Sequence, residues 1–370
     1  MKIKICKSCL TPNSRPRVVF DDEGFCNACL NSHRKKKIKW QDRKDEFDQL
    51  IVNLKDYKEK NNTNYHCIVP WSGGKDSTSI ALKLKFEFGL EPLLVTFSPL
   101  VQNDVGSYNR KALIDKGFDS IFFAPNGKVS SLLARRFFIE RGNPKVAWDA
   151  GINSLPVKIA KKYKIPYIFY AEHGESEYGG LVLNEKSQML RDKEEVLEHQ
   201  IGDYPENWVS EEISENDVQA YVYDEDTSFE INAYYFSYFF KWDMYQNYQY
   251  VKKMLPEFKT VDRSEGTFTN FDSLDDKIDS LYYYMQYIKF GFGRCVRDAS
   301  RLIQNGHITR DEGLKYVQKY DDEFPKKYLK ENLKFLNITE LDFEEIVNKH
   351  RNEEVWNSKN NYWKKSFDIV

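Results

Sequence analysis

The sequence predicts an α/β protein in which helices cover both faces of a parallel sheet, with a small cysteine-rich module before it and a helical region after it. In the middle of the chain, short apolar segments alternate with segments of helical periodicity, which is typical of strands joined by right-handed helical crossovers. Four of the six cysteines lie within the first 29 positions. Beyond residue 272, helical periodicity and capping signals dominate.

The composition excludes several classes of protein. With 370 residues, of which 41% are hydrophobic, the chain can bury a substantial core. Its 55 basic and 57 acidic side chains leave a formal charge of -2, so no overall positive field attracts nucleic acids or anionic membranes. No apolar run approaches the roughly 20 residues that a bilayer requires. We therefore expect a cytoplasmic protein with no membrane or nucleic-acid partner.

The clustered cysteines form two pairs, Cys6 with Cys9 and Cys26 with Cys29, and each pair has the spacing C-x2-C. This arrangement is typical of a four-thiolate site and predicts a structural Zn2+ ion in a zinc ribbon at residues 1–33. A module of this size cannot bury enough surface to fold alone, so the metal would supply the missing stability. A redox or iron-sulfur role for the same cysteines stays open.

Three further regions follow the ribbon. A charged connecting helix is predicted for residues 34–60, an α/β domain for residues 61–255 and a helical region for residues 256–370. Strands are expected at residues 66–70, 92–97, 119–124 and 166–170. Helices are expected at residues 77–88, 108–116, 129–140 and 155–163. A run of tyrosine and phenylalanine at residues 231–241 favours one extra strand.

The first predicted strand runs into a turn that we call the glycine loop (residues 72–77). Gly73 and Gly74 allow positive φ and close approach of the backbone, so successive N–H groups can converge on phosphate oxygens. The helix that follows adds the positive end of its dipole. Lys75 adds a full charge, while Ser72 and Ser77 add hydroxyl donors. The pattern therefore predicts a polyphosphate site.

The glycine loop lacks the length of a G-x4-G-K-[ST] motif, so transfer of a γ-phosphoryl group is not predicted. Its six residues, between a strand and a helix, resemble the PP-loop signature of the ATP pyrophosphatase superfamily. The resemblance implies that a substrate oxygen attacks the α-phosphate of ATP while the loop grips the departing pyrophosphate. Lys75 and Mg2+ would stabilise the transition-state charge, and Asp76 would hold Mg2+ or an amide. The adenine would lie over the strand ends, which implies Thr96 and Phe97 as nucleotide-binding residues.

The strand expected at residues 166–170 leads into an acidic segment at residues 171–180. Ligands of open parallel sheets bind beyond the carboxyl ends of the strands, so Glu172 and Glu175 should face the same crevice as the glycine loop. Carboxylates near a polyphosphate commonly bind Mg2+ or act as general bases, which makes both of them candidate catalytic residues with Lys75 and Asp76. A solvated acidic loop is the alternative, and the residues leave it open.

Most of the chain resembles the N-acetyl sugar amidotransferases, the WbpG and PseA group of PP-loop enzymes. The resemblance rests on the cysteine pairs, the glycine loop and the segments at residues 174–180, 241–248, 287–298 and 306–310. It implies that ATP and ammonia convert an acetamido group of a bacterial surface sugar to an acetamidino group. The sugars implied are those of LPS O-antigens or flagellin glycans, such as pseudaminic or legionaminic acid. His173 stands where the family pattern has asparagine.

The same resemblance implies sugar-binding residues and protein partners. Glu177 and Tyr178 lie in a matching segment, and Arg294 and Arg297 share a helical face that can bind a carboxylate or phosphate, with a salt-bridged helix as the alternative. Glutamine hydrolysis needs an activated cysteine, and Cys295 lacks a nucleophile elbow although flanking arginines would lower its pKa. We therefore expect a separate glutaminase and an ammonia-channelling subunit, resembling those of imidazole glycerol phosphate synthase.

A zinc ribbon ahead of a PP-loop also resembles the tRNA-thiolating enzymes, which adenylylate a base and then deliver sulfur. Those enzymes generally need further cysteines, and only Cys67 and Cys295 lie outside the two pairs. The slightly acidic balance also fits tRNA poorly, except at the basic residues 34–39. Thiolation of tRNA is therefore the alternative function.

Overall fold

The computed structural model describes residues 3–180, 185–224, 228–359 and 362–370. Its centre is a sheet of five parallel strands. The strands are β1 (Cys67–Pro70), β2 (Pro92–Phe97), β3 (Ser120–Phe123), β4 (Tyr167–Tyr170) and β5 (Asn232–Tyr235). Strands of this sheet are short apolar runs rather than alternating patterns, because helices bury both of its faces.

The order of the strands is β3-β2-β1-β4-β5. Val69 of β1 lies beside Leu94 of β2, and Ile68 lies beside Ile168 of β4. The chain adds β2 and β3 on one side of β1 and then returns to add β4 on the other side. The loops that leave β1 and β4 therefore diverge and leave a crevice at the carboxyl edge of the sheet, which is where such folds bind ligands.

The helices surround this sheet and build the two terminal regions. They are α1 (Asn27–Lys35), α2 (Trp40–Asn61), α3 (Lys75–Phe86), α4 (Asp104–Asp115), α5 (Gly127–Arg141), α6 (Val146–Tyr163), α7 (Gly174–Tyr178), α8 (Glu185–Met189), α9 (Lys193–Glu195), α10 (Glu215–Val218), α11 (Phe236–Phe239), α12 (Met244–Met254), α13 (Asp279–Phe290), α14 (Arg294–Asn305), α15 (Arg310–Tyr320), α16 (Leu329–Leu336) and α17 (Glu340–Lys349). A π-helical turn (Val196–Ile201) and a 3-10 turn (Pro205–Trp208) follow α9.

Two apolar layers hold the sheet between its helices. Helices α5 and α6 cover one face, where Phe137 is fully buried, and helices α2, α3 and α12 cover the other, where Phe47 is fully buried. Burial of one such side chain contributes about 1.5 to 3 kcal/mol to folding. The prediction of a parallel sheet with helices on both faces is confirmed.

Two elements differ from the prediction. Residues 231–241 form β5 and then the short helix α11 instead of one strand, because Phe236 and Phe239 turn into the apolar layer around Phe47. Helix α6 begins at Val146, well before the expected start near residue 155, and contains Pro156. Tertiary packing decides both differences.

The C-terminal region is helical from α13 to α17, but it ends in two antiparallel strands that the sequence analysis missed. These strands are β6 (Trp356–Lys359) and β7 (Tyr362–Lys365). The side chain of Trp356 is buried, and its Nε1 donates to the carbonyl oxygen of Ile288 at 2.6 Å. An isolated pair of strands is only marginally stable in water. The stability of β6 and β7 therefore comes from this packing rather than from a local sequence pattern.

Within the described ranges, none of the helices combines the length and the apolar character that a membrane crossing requires.

Candidate functional site

The glycine loop lies at the carboxyl end of β1, beside the crevice between β1 and β4. Gly73 has a φ of +99°, and a Cβ atom there would lie 2.8 Å from the carbonyl oxygen of Gly106 and 2.9 Å from Cγ of Arg110. Arg110 also holds the loop, since its Nη1 donates to the carbonyl oxygen of Ser72 at 2.9 Å. Gly74 caps α3 and has no side chain to accept from the first N–H groups. These donors can therefore serve an anion.

Replacing Gly73 by alanine should lower the free energy of unfolding by about 2 to 4 kcal/mol, because positive φ and two close contacts both disfavour a Cβ atom. Gly117 is a matched control, since its φ is +96° but nothing lies within 4 Å of its Cβ position. The Gly117→Ala variant should lose only about 1 to 2 kcal/mol. Urea unfolding measures both, and equal losses would contradict the close packing of the glycine loop.

Lys75 is a buried cation between two carboxylates. It is 1% exposed, and its Nζ donates to Oδ2 of Asp76 at 2.6 Å and to Oδ1 of Asp272. Burial lowers the pKa of Lys75, but the two carboxylates outweigh burial and the net pKa is raised. Burial raises the pKa of Asp272, but Lys75 and Arg294 lower it to about 2. Lys75 and Asp272 are therefore both charged at neutral pH.

Asp76 differs from Asp272 in its titration. Burial raises the pKa of Asp76 to about 6, and Lys75 offsets only part of this effect, while the charge of Glu172 raises the pKa further. Oδ1 of Asp76 accepts a hydrogen bond from Nδ2 of Asn247 at 3.1 Å. A cation bound here would favour the ionised carboxylate, so the environment of Asp76 fits a Mg2+ ligand.

Asp272, Asn247 and His307 lie at the site but were not among the predicted site residues. Asp243 caps α12 through the backbone N–H groups of Tyr245 and Gln246, and this places Asn247 against the glycine loop. Nε2 of His307 lies 2.8 Å from Oδ2 of Asp243. The family resemblance of residues 241–248 and 306–310 was the available signal. Asp272 has no local signal, because its partner Lys75 lies 197 positions away.

The segment after β4 brings Glu172 and Tyr178 to the same edge of the sheet. The hydroxyl of Tyr178 donates to Oε1 of Glu172 at 2.5 Å, and Nη2 of Arg297 donates to the same hydroxyl at 3.2 Å. The guanidinium carbon of Arg301 lies 3.7 Å from the centre of the Tyr178 ring. Burial raises the pKa of Tyr178 to about 12, so its hydroxyl stays protonated and acts as a donor.

Two of the predicted carboxylates, Glu175 and Glu177, lie in ion pairs. Oε2 of Glu175 pairs with Nη1 of Arg17 at 2.9 Å, and Glu177 pairs with Lys35 and, at 3.6 Å, with Arg301. The alternative of a solvated acidic loop is wrong for these two carboxylates, since their side chains are only 13% and 9% exposed.

Arg294 and Arg297 have different surroundings. The side chain of Arg294 is 2% exposed and pairs with Asp272 at 3.6 Å and with Asp298 at 3.3 Å. The salt-bridged alternative therefore describes Arg294. Arg297 instead donates to the hydroxyls of Tyr178 and Tyr283 and faces an open cleft. Its predicted role in sugar binding stays a prediction.

The cleft that Arg297 faces lies between the cysteine-rich module and helices α13 and α14, and its volume is about 320 Å³. Arg15, Lys289, Arg297 and Arg301 contribute four basic groups, whereas none of the described residues that line the cleft is acidic. Tyrosine and phenylalanine rings from α13 and its C-terminal end form much of the remaining wall. Cationic and aromatic walls of this kind suit a sugar with an anionic group.

Thr96 and Phe97 lie at the carboxyl end of β2, next to β1. Oγ1 of Thr96 donates to the carbonyl oxygen of Trp71 at 2.5 Å, and both side chains are buried. The Phe97 ring packs so closely on α6 that a Cβ atom at Gly151 would lie 2.3 Å from it. An adenine over this edge would therefore meet the backbone of these residues rather than their side chains.

The four clustered cysteines converge as the sequence predicts. Their Sγ atoms all lie within 4.8 Å of one another, and all four side chains are buried. Sγ of Cys6 lies 3.8 Å from that of Cys29, and Sγ of Cys9 lies 3.7 Å from that of Cys26. A tetrahedral ion with Zn–S bonds of about 2.3 Å requires sulfur separations near these values. Nε2 of Gln304 donates to Sγ of Cys29 at 3.4 Å, which suits a thiolate.

The other two cysteines are inert. Cys67 lies in the middle of the sheet and Cys295 in the apolar core beneath α14, and both are 0% exposed. Burial raises the pKa of both thiols. The expectation that neighbouring arginines lower the pKa of Cys295 is wrong, because burial raises this pKa and the charges of Asp321 and Asp298 raise it further.

Comparisons with known proteins agree with part of this picture. Residues 265–368 match the family described as "LPS biosynthesis protein WbpG-like, C-terminal domain". The matched segment contains Asp272, Arg294 and Arg297, and the match supports the WbpG-like part of the predicted resemblance. A stretch of 95 residues is 34% identical to the uncharacterized protein MJ1599 of Methanocaldococcus jannaschii. It covers 26% of this chain and 32% of that relative, so the chain matches about a third of the relative's length.

Proposed function

We propose that this protein is an ATP-dependent amidotransferase of glycan biosynthesis, which converts an acetamido group of a bacterial surface sugar to an acetamidino group. The observation that supports it most is the contact between Lys75, at the carboxyl end of β1, and Asp272, in the segment that matches the WbpG-like domain. This contact joins the candidate nucleotide-binding loop to the segment that resembles a domain of LPS biosynthesis proteins. The buried cation and the first N–H groups of α3 lie at the carboxyl end of β1, and Tyr178, which contacts Glu172 after β4, lines the basic cleft.

The proposed reaction has two steps. The amide oxygen of the sugar forms a bond to the α-phosphorus of ATP as pyrophosphate leaves. Ammonia then forms a bond to the imidate carbon, a proton is lost, and the C–O bond breaks to release AMP. Adenylylation is needed because nitrogen donation makes an amide a poor electrophile and its oxygen a poor leaving group.

Each group at the site has a proposed part in this chemistry. Lys75 and the N–H groups of the glycine loop stabilise the charge that develops on the pyrophosphate. Asp76 and Glu172 are the proposed ligands of Mg2+, which would neutralise phosphate charge. Glu172 is the proposed acceptor of the proton that ammonia loses, because Glu175 is paired with Arg17 of the cysteine-rich module. Arg297 and the other basic groups of the cleft hold a carboxylate or phosphate of the sugar.

The ammonia source is proposed to be a separate glutaminase with an ammonia-channelling subunit, resembling imidazole glycerol phosphate synthase. The buried state of Cys67 and Cys295 supports this, since neither thiol has the exposure or lowered pKa of a glutaminase nucleophile. The burial and the raised pKa of these two thiols also count against the tRNA-thiolating alternative, in which Cys67 or Cys295 would have to carry sulfur.

Product analysis tests the proposed function. Purified protein with ATP, Mg2+, ammonium and diacetamido sugars should release AMP and pyrophosphate in equal amounts. Mass spectrometry should show a sugar in which NH replaces one oxygen, and this product should be absent without ammonium. ADP as the nucleotide product would contradict the proposal, and tight tRNA binding at physiological salt would favour the thiolation alternative.

A further inference from the structure

The cysteine-rich module contacts the segment that bears Tyr178. Helix α7 has only five residues, Gly174–Tyr178, so it cannot be stable without partners. One of its partners is α1, which is preceded by the metal-site residue Cys26 as its N-cap and includes Cys29. Helix α1, which bears Cys29, therefore connects the metal site to α7, which bears Tyr178 in the wall of the basic cleft.

One face of α1 makes these contacts. Asn27, Asn31 and Lys35 follow one another at a spacing of four, which places them on the same side of a helix. Nδ2 of Asn31 donates to the carbonyl oxygen of Ser176 at 2.7 Å, and Lys35 pairs with Glu177.

The end of α7 is held in the same way. Nδ2 of Asn27 donates to the carbonyl oxygen of Gly180 at 3.1 Å. The approach is so close that a Cβ atom at Gly179 would lie 2.8 Å from Oδ1 of Asn27. Nη1 of Arg15, also in the module, donates to the carbonyl oxygen of Tyr178 at 3.3 Å.

These contacts decide the position of Tyr178, whose hydroxyl lies between Glu172 and Arg297 and whose ring forms part of the cleft. We propose that α1 is a positioning element for the acceptor site: metal binding at the four cysteines orders α1, and α1 holds α7 and Tyr178 in place. This inference rests on the proposed function only for the identity of the acceptor, an acetamido sugar. The mechanical link from metal site to α7 stands on the contacts alone.

Hydrogen exchange of the whole protein tests the mechanical link. In the double variant Asn27→Ala, Asn31→Ala, loss of the two hydrogen bonds from α1 to the carbonyl oxygens of Ser176 and Gly180 should speed amide exchange in residues 174–180 by about tenfold or more. Removal of the metal by a chelator should have the same effect. The matched control is His33→Ala, an exposed position on the same helix, which should leave this exchange unchanged. Protection of residues 174–180 that survives both treatments overturns the proposal.

Kinetics test the consequence for the acceptor. The double variant should keep its metal content and its affinity for ATP, while KM for the acetamido sugar rises about tenfold through displacement of Tyr178. An unchanged KM together with faster exchange would also overturn the positioning role. If the unaltered protein forms no AMP with any acetamido sugar, the proposed function fails, and the exchange experiment still decides the link between metal site and α7.

Discussion

Replacing Lys75 by methionine should lower kcat/KM for AMP formation by at least about 100-fold, the effect of removing one preorganised donor from a developing anionic charge. Nζ of Lys75 lies between Asp76 and Asp272, so its charge is held at the start of α3 without any rearrangement. Steady-state release of pyrophosphate measures the loss. The matched control is Lys85→Met, because Lys85 lies in the last turn of the same helix, where it pairs with Glu91 at 2.6 Å. Its activity should stay close to that of the unaltered protein.

The Lys75→Met change also affects folding, since it removes the cation from between Asp76 and Asp272, although Arg294 stays beside Asp272, and it should cost about 3 to 5 kcal/mol of unfolding free energy. A second variant separates the two effects. Lys75→Met combined with Asp272→Asn removes one carboxylate together with the cation and so restores the balance of charge, and it should recover part of the stability but none of the activity. Recovery of activity along with stability would show that Lys75 is structural and would contradict its role in the reaction.

Replacing Cys9 by serine should remove the metal and unfold the N-terminal module. The four Sγ atoms lie at the separations that a tetrahedral ion requires, and metal binding of this type contributes about 10 to 16 kcal/mol at neutral pH in small modules. Elemental analysis should find about one zinc ion per chain in the unaltered protein and much less in the variant. Limited proteolysis should then cleave within residues 3–33.

Cys295→Ala is the matched control, because Cys295 is equally buried but lies outside the cluster. Its zinc content should not change. Iron with visible absorbance in the unaltered protein would contradict the zinc prediction and favour the iron-sulfur alternative. Full zinc content in Cys9→Ser would contradict the four-thiolate site.

Much of the fold was predictable because its signals are local. The apolar runs of β1 and β2 and the glycine turn after β1 each depend on a few adjacent residues, and the structure confirms the strands within a few positions. The two C-x2-C pairs likewise predicted a cluster that the structure confirms. Elements without a strong pattern of their own were missed, as β6 and β7 show, since their stability comes from burial of Trp356 against α13.

The candidate site was only partly predictable, because some of its residues belong to local motifs and others are brought there by tertiary contacts. Lys75, Glu172 and Tyr178 could be selected from motifs and strand ends. The partners that decide their charge and position could not, since no pattern near Asp272 indicates a site, and the cysteine motif before Asn31 indicates a metal site but no contact with Ser176. Arg294 and Arg297 share a helical face, yet one is buried in ion pairs and the other faces the cleft.

By itself, the sequence determined the class of the sheet, the cysteine cluster and the glycine turn after β1, because periodicity, ligand spacing and glycine conformation act over a few residues. Only the tertiary structure decided that Lys75 lies between Asp76 and Asp272, and that Asn31 contacts the segment bearing Tyr178. These contacts join positions 197 and 145 residues apart. Such pairs form because burial of apolar surface brings distant segments together, and buried charges and amides must then find partners.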